Sequence, residues 1–121
     1  MSIVVKTLLL AAAMMFAQLT FSSTQSYSDE TPFSATGGAG TISFTGSLMT
    51  GTPCYTVSGG LRQSGKRITV TVTAQSTGGI CTQVITHNNY QGQVTGLAAG
   101  TYDFRIVQGS STAYTQSVTV T

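Results

Sequence analysis

Residues Leu97–Val107, LAAGTYDFRIV, contain the clearest structural signal in the chain. A glycine turn leads into a segment in which every second residue is apolar, and these apolar residues are Tyr102, Phe104 and Ile106. Asp103 and Arg105 stand between them, and such a period of two is typical of a β-strand with one buried face. The segment therefore predicts a central strand whose charged residues point away from the core.

Six further segments have a strand-like composition between turn signals. They lie near residues 41–46, 55–61, 68–74, 80–86, 90–94 and 112–121. A three-residue loop, Gly109–Ser111, would set Tyr102 opposite Val118 and join the apolar rows of the last two strands. Seven short strands without any helical period after the first residues predict an all-β, seven-stranded antiparallel β-sandwich.

The second and third strands predict a hairpin with a defined register. If Ser64-Gly65 is a two-residue loop, Leu61 faces Ile68, and the apolar rows of both strands fall on one side of the sheet. A shift by one residue would carry the whole row into water. The same register sets Arg62 opposite Arg67, which is unfavourable by a few tenths of a kcal/mol, so the apolar match should decide.

The spacing Leu97-x-x-Gly100-x-Tyr102 resembles the tyrosine corner of immunoglobulin-like and fibronectin type III-like domains. In those domains a tyrosine hydroxyl bonds back to the corner that precedes its strand. The resemblance covers residues 41–121 and implies an immunoglobulin-like sandwich of a kind common among secreted bacterial modules. The chain has no tryptophan, and Cys54 falls on an outward row, so antibody-like recognition does not follow. Fold alone does not imply an activity.

Residues 1–23 predict a secretory signal peptide. Lys6 supplies the positive charge, and an apolar stretch ends at Ala17, too short for a membrane span of about 20 residues. Cleavage is possible after Ala17 or after Ser22 or Ser23, because each offers a small residue. The mature protein is therefore expected to be secreted or periplasmic, with no membrane insertion after the signal is removed.

Residues 24–40 are polar and rich in serine, threonine and glycine, and only Tyr27 and Phe33 interrupt the polarity. Neither a helical nor a strand period appears, so the segment predicts a flexible leader. A competing interpretation is an arm that adds a strand to a neighbouring subunit. Residues 41–121 then form the single sandwich domain.

Cys54 and Cys81 are the only cysteines. In an exported protein they are expected to form a disulfide at a rim or loop of the sandwich. A bridge that closes a loop of about 27 residues would stabilise the fold by roughly 3 to 4 kcal/mol. A redox role lacks the Cys-x-x-Cys spacing.

Charged residues make up 7% of the chain, and the formal net charge is +2. This is too little positive charge to predict nucleic-acid binding. Arg62, Lys66 and Arg67 cluster around one predicted turn and are possible contacts for an acidic partner. The solvated tip of a hairpin is the more common role of such a cluster.

The sequence predicts no catalytic site, no metal site and no cofactor. A triad would need the sole histidine, His87, with Asp103, and no serine is marked as a nucleophile. His87 with two bonded cysteines cannot complete a metal site. The expected function is a secreted, non-catalytic structural or adhesive module that uses a sheet face or edge, with a protein or cell-surface partner or a second copy of itself. The alternative is a monomeric extracellular binder, inhibitor-like or carbohydrate-binding, that acts through end loops with Tyr55, Tyr90 and Tyr114 as aromatic candidates.

Overall fold

A computed structural model describes residues 16–121 and places eight β-strands in them. The strands are β1 (Gln18–Ser26), β2 (Ser34–Gly38), β3 (Thr41–Thr50), β4 (Tyr55–Ser64), β5 (Arg67–Ser76), β6 (Thr86–Thr95), β7 (Gly100–Gln108) and β8 (Ser111–Val120). Two four-stranded sheets result: sheet A has the order β1-β6-β3-β2, and sheet B has the order β4-β5-β7-β8. Their inner residues share one core, which confirms the predicted all-β sandwich with eight strands instead of seven. Most of the predicted signal peptide, residues 1–15, lies outside the described residues.

One strand pair departs from the predicted antiparallel arrangement. β5 and β7 are parallel neighbours in sheet B, whereas the other neighbouring pairs are antiparallel. The reason is topological, because the chain crosses to sheet A as β6 between these two strands. β7 therefore returns to sheet B in the same direction as β5.

The segment for which the sequence predicted a flexible leader contains the end of β1 and all of β2. These edge strands are held by backbone pairing with β6 and β3 and by few apolar side chains, so their sequence shows little alternation. Ala35 is their one buried residue, and Phe21 is partly buried against the core. At Gly37 an added Cβ would lie within bonding distance of the Thr119 carbonyl group, so only glycine allows β2 this close to β8.

The core lies between the two sheets and includes the central strand predicted from the sequence. Tyr102, Phe104, Val70 and Val72 are all 2% exposed or less. The Tyr102 hydroxyl donates a hydrogen bond of 2.7 Å to the carbonyl oxygen of Ala98, which ties the start of β7 to the preceding loop. β7 is thus held in place both by the burial of its inward apolar side chains and by the hydrogen bond of the Tyr102 hydroxyl group.

The hairpin between β4 and β5 has its turn one residue later than predicted. Gly65 and Lys66 form the loop, and Gly65 has a φ of +58°, as a type II′ turn requires at its first position. Leu61 consequently pairs with Val70 instead of Ile68. The register changes by two residues, so the apolar rows stay on the same face and Arg62 no longer stands opposite Arg67.

The register of β7 and β8 agrees with the prediction over most of the hairpin, although the loop differs. Tyr102 lies opposite Val118, and Ile106 lies opposite Tyr114. The register then shifts between Ile106 and Val107, and the loop has two residues, not three. A β-bulge therefore provides the extra residue that the sequence argument assigned to the loop.

The region from residue 77 to residue 89 differs most from the sequence prediction. Residues 80–85 form no strand, and His87–Asn89, predicted as a turn, lie within β6. Asn88 is 1% exposed, and its amide nitrogen donates hydrogen bonds to the Leu48 carbonyl oxygen and the Thr50 hydroxyl. Its side-chain oxygen accepts a hydrogen bond from Gln25 of β1. A buried asparagine that is hydrogen-bonded to both neighbouring strands therefore looks like a turn residue when only composition is available.

Candidate functional site: a cationic sheet face

The outer face of sheet B carries a concentration of positive charge. Register places Arg62, Thr69, Arg105 and Thr115 in one row across β4, β5, β7 and β8. The adjacent row contains Ser64, Arg67, Asp103 and Ser117. Lys66 follows in the turn at the end of β4. We call Arg62, Lys66, Arg67 and Arg105, with Asp103 between them, the cationic face.

Asp103 is the single carboxylate of this face and joins two of its arginines. Its Oδ2 lies 3.0 Å from Arg105 Nη2 and 3.4 Å from Arg67 Nε. The hydrogen bonds from Arg105, followed by the positive charges of Arg105 and Arg67, hold the pKa of the Asp103 carboxyl group below its usual value. All three side chains remain at least one-third exposed. The carboxylate therefore orders the arginines while leaving them accessible.

Lys66 lies at the edge of the cationic face, over the ring of Tyr102. Its Nζ is 4.6 Å from the ring centroid, a cation–π distance. A shallow depression of about 640 Å³ lies beside it and is bordered by Arg67, Thr101 and Asp103. Lys66 is thus one of the residues that line this depression.

The three predicted partner contacts, Arg62, Lys66 and Arg67, lie together on this face. Sequence reasoning missed Arg105, which occupies the same row as Arg62 with one strand between them. The alternation of β7 already pointed Arg105 away from the core. The sequence did not show that β5 and β7 are neighbours, because no local pattern indicates a pairing between strands that are distant in the chain.

The disulfide lies at one end of the sandwich, as the sequence predicted. Cys54 and Cys81 are bonded with a Cα–Cα distance of 6.2 Å, and both lie outside the strands. Thr77 also donates its backbone N–H and its hydroxyl to the carbonyl oxygen of Cys54. The segment between β5 and β6 is therefore anchored at two points, while Ile80 next to the bridge is fully exposed.

The outer face of sheet A is neutral and polar. Register forms two rows, Thr20-Gln93-Ser43-Thr36 and Ser22-Gln91-Thr45-Ser34. They border a shallow groove of about 450 Å³. Hydroxyl and amide groups make this face water-compatible without charge, which explains how a chain with so few ionised residues covers its core.

The groups that a histidine-dependent enzyme would need are far apart in the fold. His87 is on the outward row of β6 in sheet A, whereas Asp103 is on the outward row of β7 in sheet B, on the opposite side of the core. The Asp103 carboxylate is engaged by arginines. Within residues 16–121, no group of three or more His, Cys, Asp or Glu side chains could hold a metal ion. The absence of catalysis remains a prediction.

The three tyrosines suggested for a loop binder do not form a surface patch. Tyr90 is 2% exposed, and burial raises its pKa to about 12, with a smaller opposing effect from its hydrogen bond with Gln108. Tyr114 stacks on Phe33 with ring centroids 5.7 Å apart, and Tyr55 is half-buried at the start of β4. Their aromatic surface is mainly used within the fold.

In the part of the chain from residue 16 onward, no helix has the length and apolar character needed to span a membrane. No curated protein and no solved structure matches the chain. The family model of the ORF11 beta-sandwich domain matches residues 44–120, a stretch that runs from within β3 to the end of β8. This match covers more than half of the chain and agrees with its two packed sheets, and the chain therefore belongs to the ORF11 beta-sandwich domain family.

Proposed function

We propose that the domain is a secreted, non-catalytic adhesive module whose cationic face binds an anionic partner at a cell surface. The supporting observation is that all three arginines of the chain lie on the outer face of sheet B with a single carboxylate, and Lys66 lies at the edge of that face. The disulfide suits an oxidising compartment outside the cytosol. An otherwise weakly charged protein thus concentrates its charge at one place.

The chemistry of the cationic face fits an extended polyanion. Arg62 and Lys66 have no carboxylate within 4.0 Å among residues 16–121, so their charge is available to a ligand. Guanidinium groups donate paired hydrogen bonds that match carboxylate or sulfate oxygens. Thr69 lies between Arg62 and Arg105, and Thr115 follows Arg105 on β8, so that their hydroxyl groups add neutral hydrogen bonds. A flat sheet face of this kind contacts a chain-like ligand along its length.

Binding to immobilised heparin, a sulfated polysaccharide, tests the proposal. Arg62→Gln, Arg67→Gln and Arg105→Gln should each weaken binding about 1.4- to 5-fold, because an exposed ion pair contributes about 0.2 to 1 kcal/mol. Added salt should weaken binding of the unaltered protein, since the Debye length falls to about 8 Å at 0.15 M. Thermal unfolding of each variant establishes that the fold is retained.

A charge-relocation variant provides the matched control. The triple arginine variant combined with Thr20→Lys, Ser34→Lys and Thr36→Lys regains all three positive charges on the outer face of sheet A, where these side chains are exposed. If placement matters, this variant binds as weakly as the triple variant. Binding equal to that of the unaltered protein would show a nonspecific charge effect and contradict the proposal.

A second copy is one possible source of anionic groups. Asp29 and Glu30 are exposed in the loop between β1 and β2, which packs beside Asn89 on sheet A. Size-exclusion chromatography over a range of concentrations tests this form of the proposal. Association that disappears in Asp29→Asn/Glu30→Gln supports a self-complementary contact, whereas a monomer at all concentrations leaves only a foreign partner.

A loop binder is the second candidate, and one observation favours it. Ile80 projects fully into solvent from the segment that the Cys54–Cys81 disulfide anchors. An exposed apolar side chain on a constrained loop can enter a pocket of a partner such as a protease. Inhibition of an elastase-type protease that is lost in Ile80→Asp but kept in Arg105→Gln would favour this function over the polyanion binder.

A further inference from the structure

We infer that the exported chain is cut between Ala17 and Gln18, so that the mature protein begins with the first residue of β1. The inference rests on the secretion assumed in the proposed function. Side-chain size alone does not identify the cut, because Ala17, Ser22 and Ser23 are all small. Signal peptidases also favour a small residue two positions before the residue that precedes the cut. Thr20 holds this position for a cut after Ser22, whereas the larger Met15 holds it for a cut after Ala17. This preference by itself would favour the cut after Ser22.

Backbone pairing distinguishes these positions. β1 pairs with β6 over its full length, from Gln18 opposite Thr95 to Ser26 opposite His87. A cut after Ser22 or Ser23 would remove more than half of β1. The corresponding part of β6 would then become an unpaired edge with free N–H and C=O groups. A cut after Ala17 keeps the whole ladder.

The side chains of β1 support the same position. Phe21 stacks on Tyr90 with ring centroids 5.5 Å apart and lies 6.4 Å from the ring of Phe44. It also reaches sheet B, because a Cβ added to Gly59 in β4 would lie 2.6 Å from the Phe21 ring. Gly59 in sheet B therefore leaves room for Phe21, which a cut after Ser22 or Ser23 would remove.

Phe16 and Ala17, the two residues that the structure describes before β1, contribute much less to the fold. Phe16 is 73% exposed, and Ala17 adds one small side chain at the margin of the core.

The reaction is hydrolysis by a signal peptidase. Water breaks the peptide bond, leaving a carboxyl group on Ala17 and an amino group on Gln18.

The full chain expressed in a secretion-competent bacterium tests the inference by intact mass and N-terminal sequencing. We expect the mass of residues 18–121 with the disulfide closed, or that mass less one ammonia when the terminal glutamine has cyclised. A mature chain that begins at Ser23 or Thr24 overturns the inference and leaves secretion intact. An uncut chain retained in the cytosol instead overturns the secretion on which the proposed function depends.

Two variants locate the cut independently of the native mass. Ala17→Phe places a bulky side chain before the inferred cut and should reduce the species that starts at Gln18 by about tenfold or more. Ser22→Phe/Ser23→Phe is the matched control and should leave that species at its usual level, because both positions are exposed in β1. The opposite pattern of sensitivity would refute the assignment.

Discussion

Tyr90 couples the stability of the sandwich to alkaline pH. Its ring lies in the core against Phe21 and Phe44, and its hydroxyl oxygen accepts a hydrogen bond of 2.9 Å from Gln108 Nε2. The ring is 2% exposed, and burial raises its pKa from 10.0 to about 12. A charged phenolate is therefore much less stable in the folded protein than in the unfolded chain.

The direction and size of the effect follow from this difference. Below pH 10 the tyrosine is protonated in both states and contributes no pH dependence. Between pH 10 and 12 the unfolded chain loses its proton while the folded protein keeps it, so the free energy of unfolding decreases as pH rises. Two pH units at about 1.36 kcal/mol each give a loss of about 2.7 kcal/mol, a large fraction of the 5 to 15 kcal/mol typical of a small domain.

Urea unfolding measured at intervals from pH 8 to pH 12 tests this prediction in the unaltered protein and in Tyr90→Phe. The variant loses the bond from Gln108 and starts lower at pH 8 by about 0.5 to 1.5 kcal/mol, but its stability should fall less steeply above pH 10. Tyr27→Phe, at a 63% exposed position, controls for loss of a hydroxyl. Parallel pH curves for Tyr90→Phe and the unaltered protein would refute the reasoning.

Three further changes have defined outcomes. Gly46→Ala should destabilise the fold by about 1 to 3 kcal/mol in urea unfolding, because its Cβ would lie 2.5 Å from the Tyr90 hydroxyl oxygen. Cys54→Ala/Cys81→Ala should cost roughly 3 to 4 kcal/mol by the chain-entropy estimate, and an unchanged urea midpoint would contradict it. Asp103→Asn should strengthen retention on heparin. The unaltered protein should show the same gain only when acidified below the lowered pKa of Asp103, and the variant should show no such gain.

Local alternation predicted the fold where one face of a strand is buried and the other is solvated. Tyr102 and Phe104 in β7, and Val70 in β5, follow that rule and are buried. Local alternation did not predict the structure where polar residues are buried or where strands lie at the edge of a sheet. Asn88 is buried through hydrogen bonds to β3, and β1 is held largely by its backbone ladder, so neither presents the expected pattern.

In the two hairpins, apolar alternation determines which face of a strand is buried, and the turn residues determine the register. Matching apolar rows fixes the face of a strand, because a shift of one residue exposes the row, but a shift of two keeps it buried. The β4–β5 hairpin differs from its prediction by such a shift, and Gly65 occupies the first turn position as the residue that tolerates a positive φ. The turn residues therefore determine which residues form the loop, and burial determines which side chains face the core.

The parallel pairing of β5 with β7 creates the cationic face and also limits its charge. It brings Arg67 next to Asp103 and Thr69 next to Arg105, so two arginines that are distant in sequence share one carboxylate. Had β5 run antiparallel to β7 with the same inward rows, the positions of these charges along the strand would be reversed. The ion pairs would then require a different register. Because the crossover through β6 fixes the strand direction, charge placement on sheet B depends on a strand in sheet A that contributes no charged residue to the face.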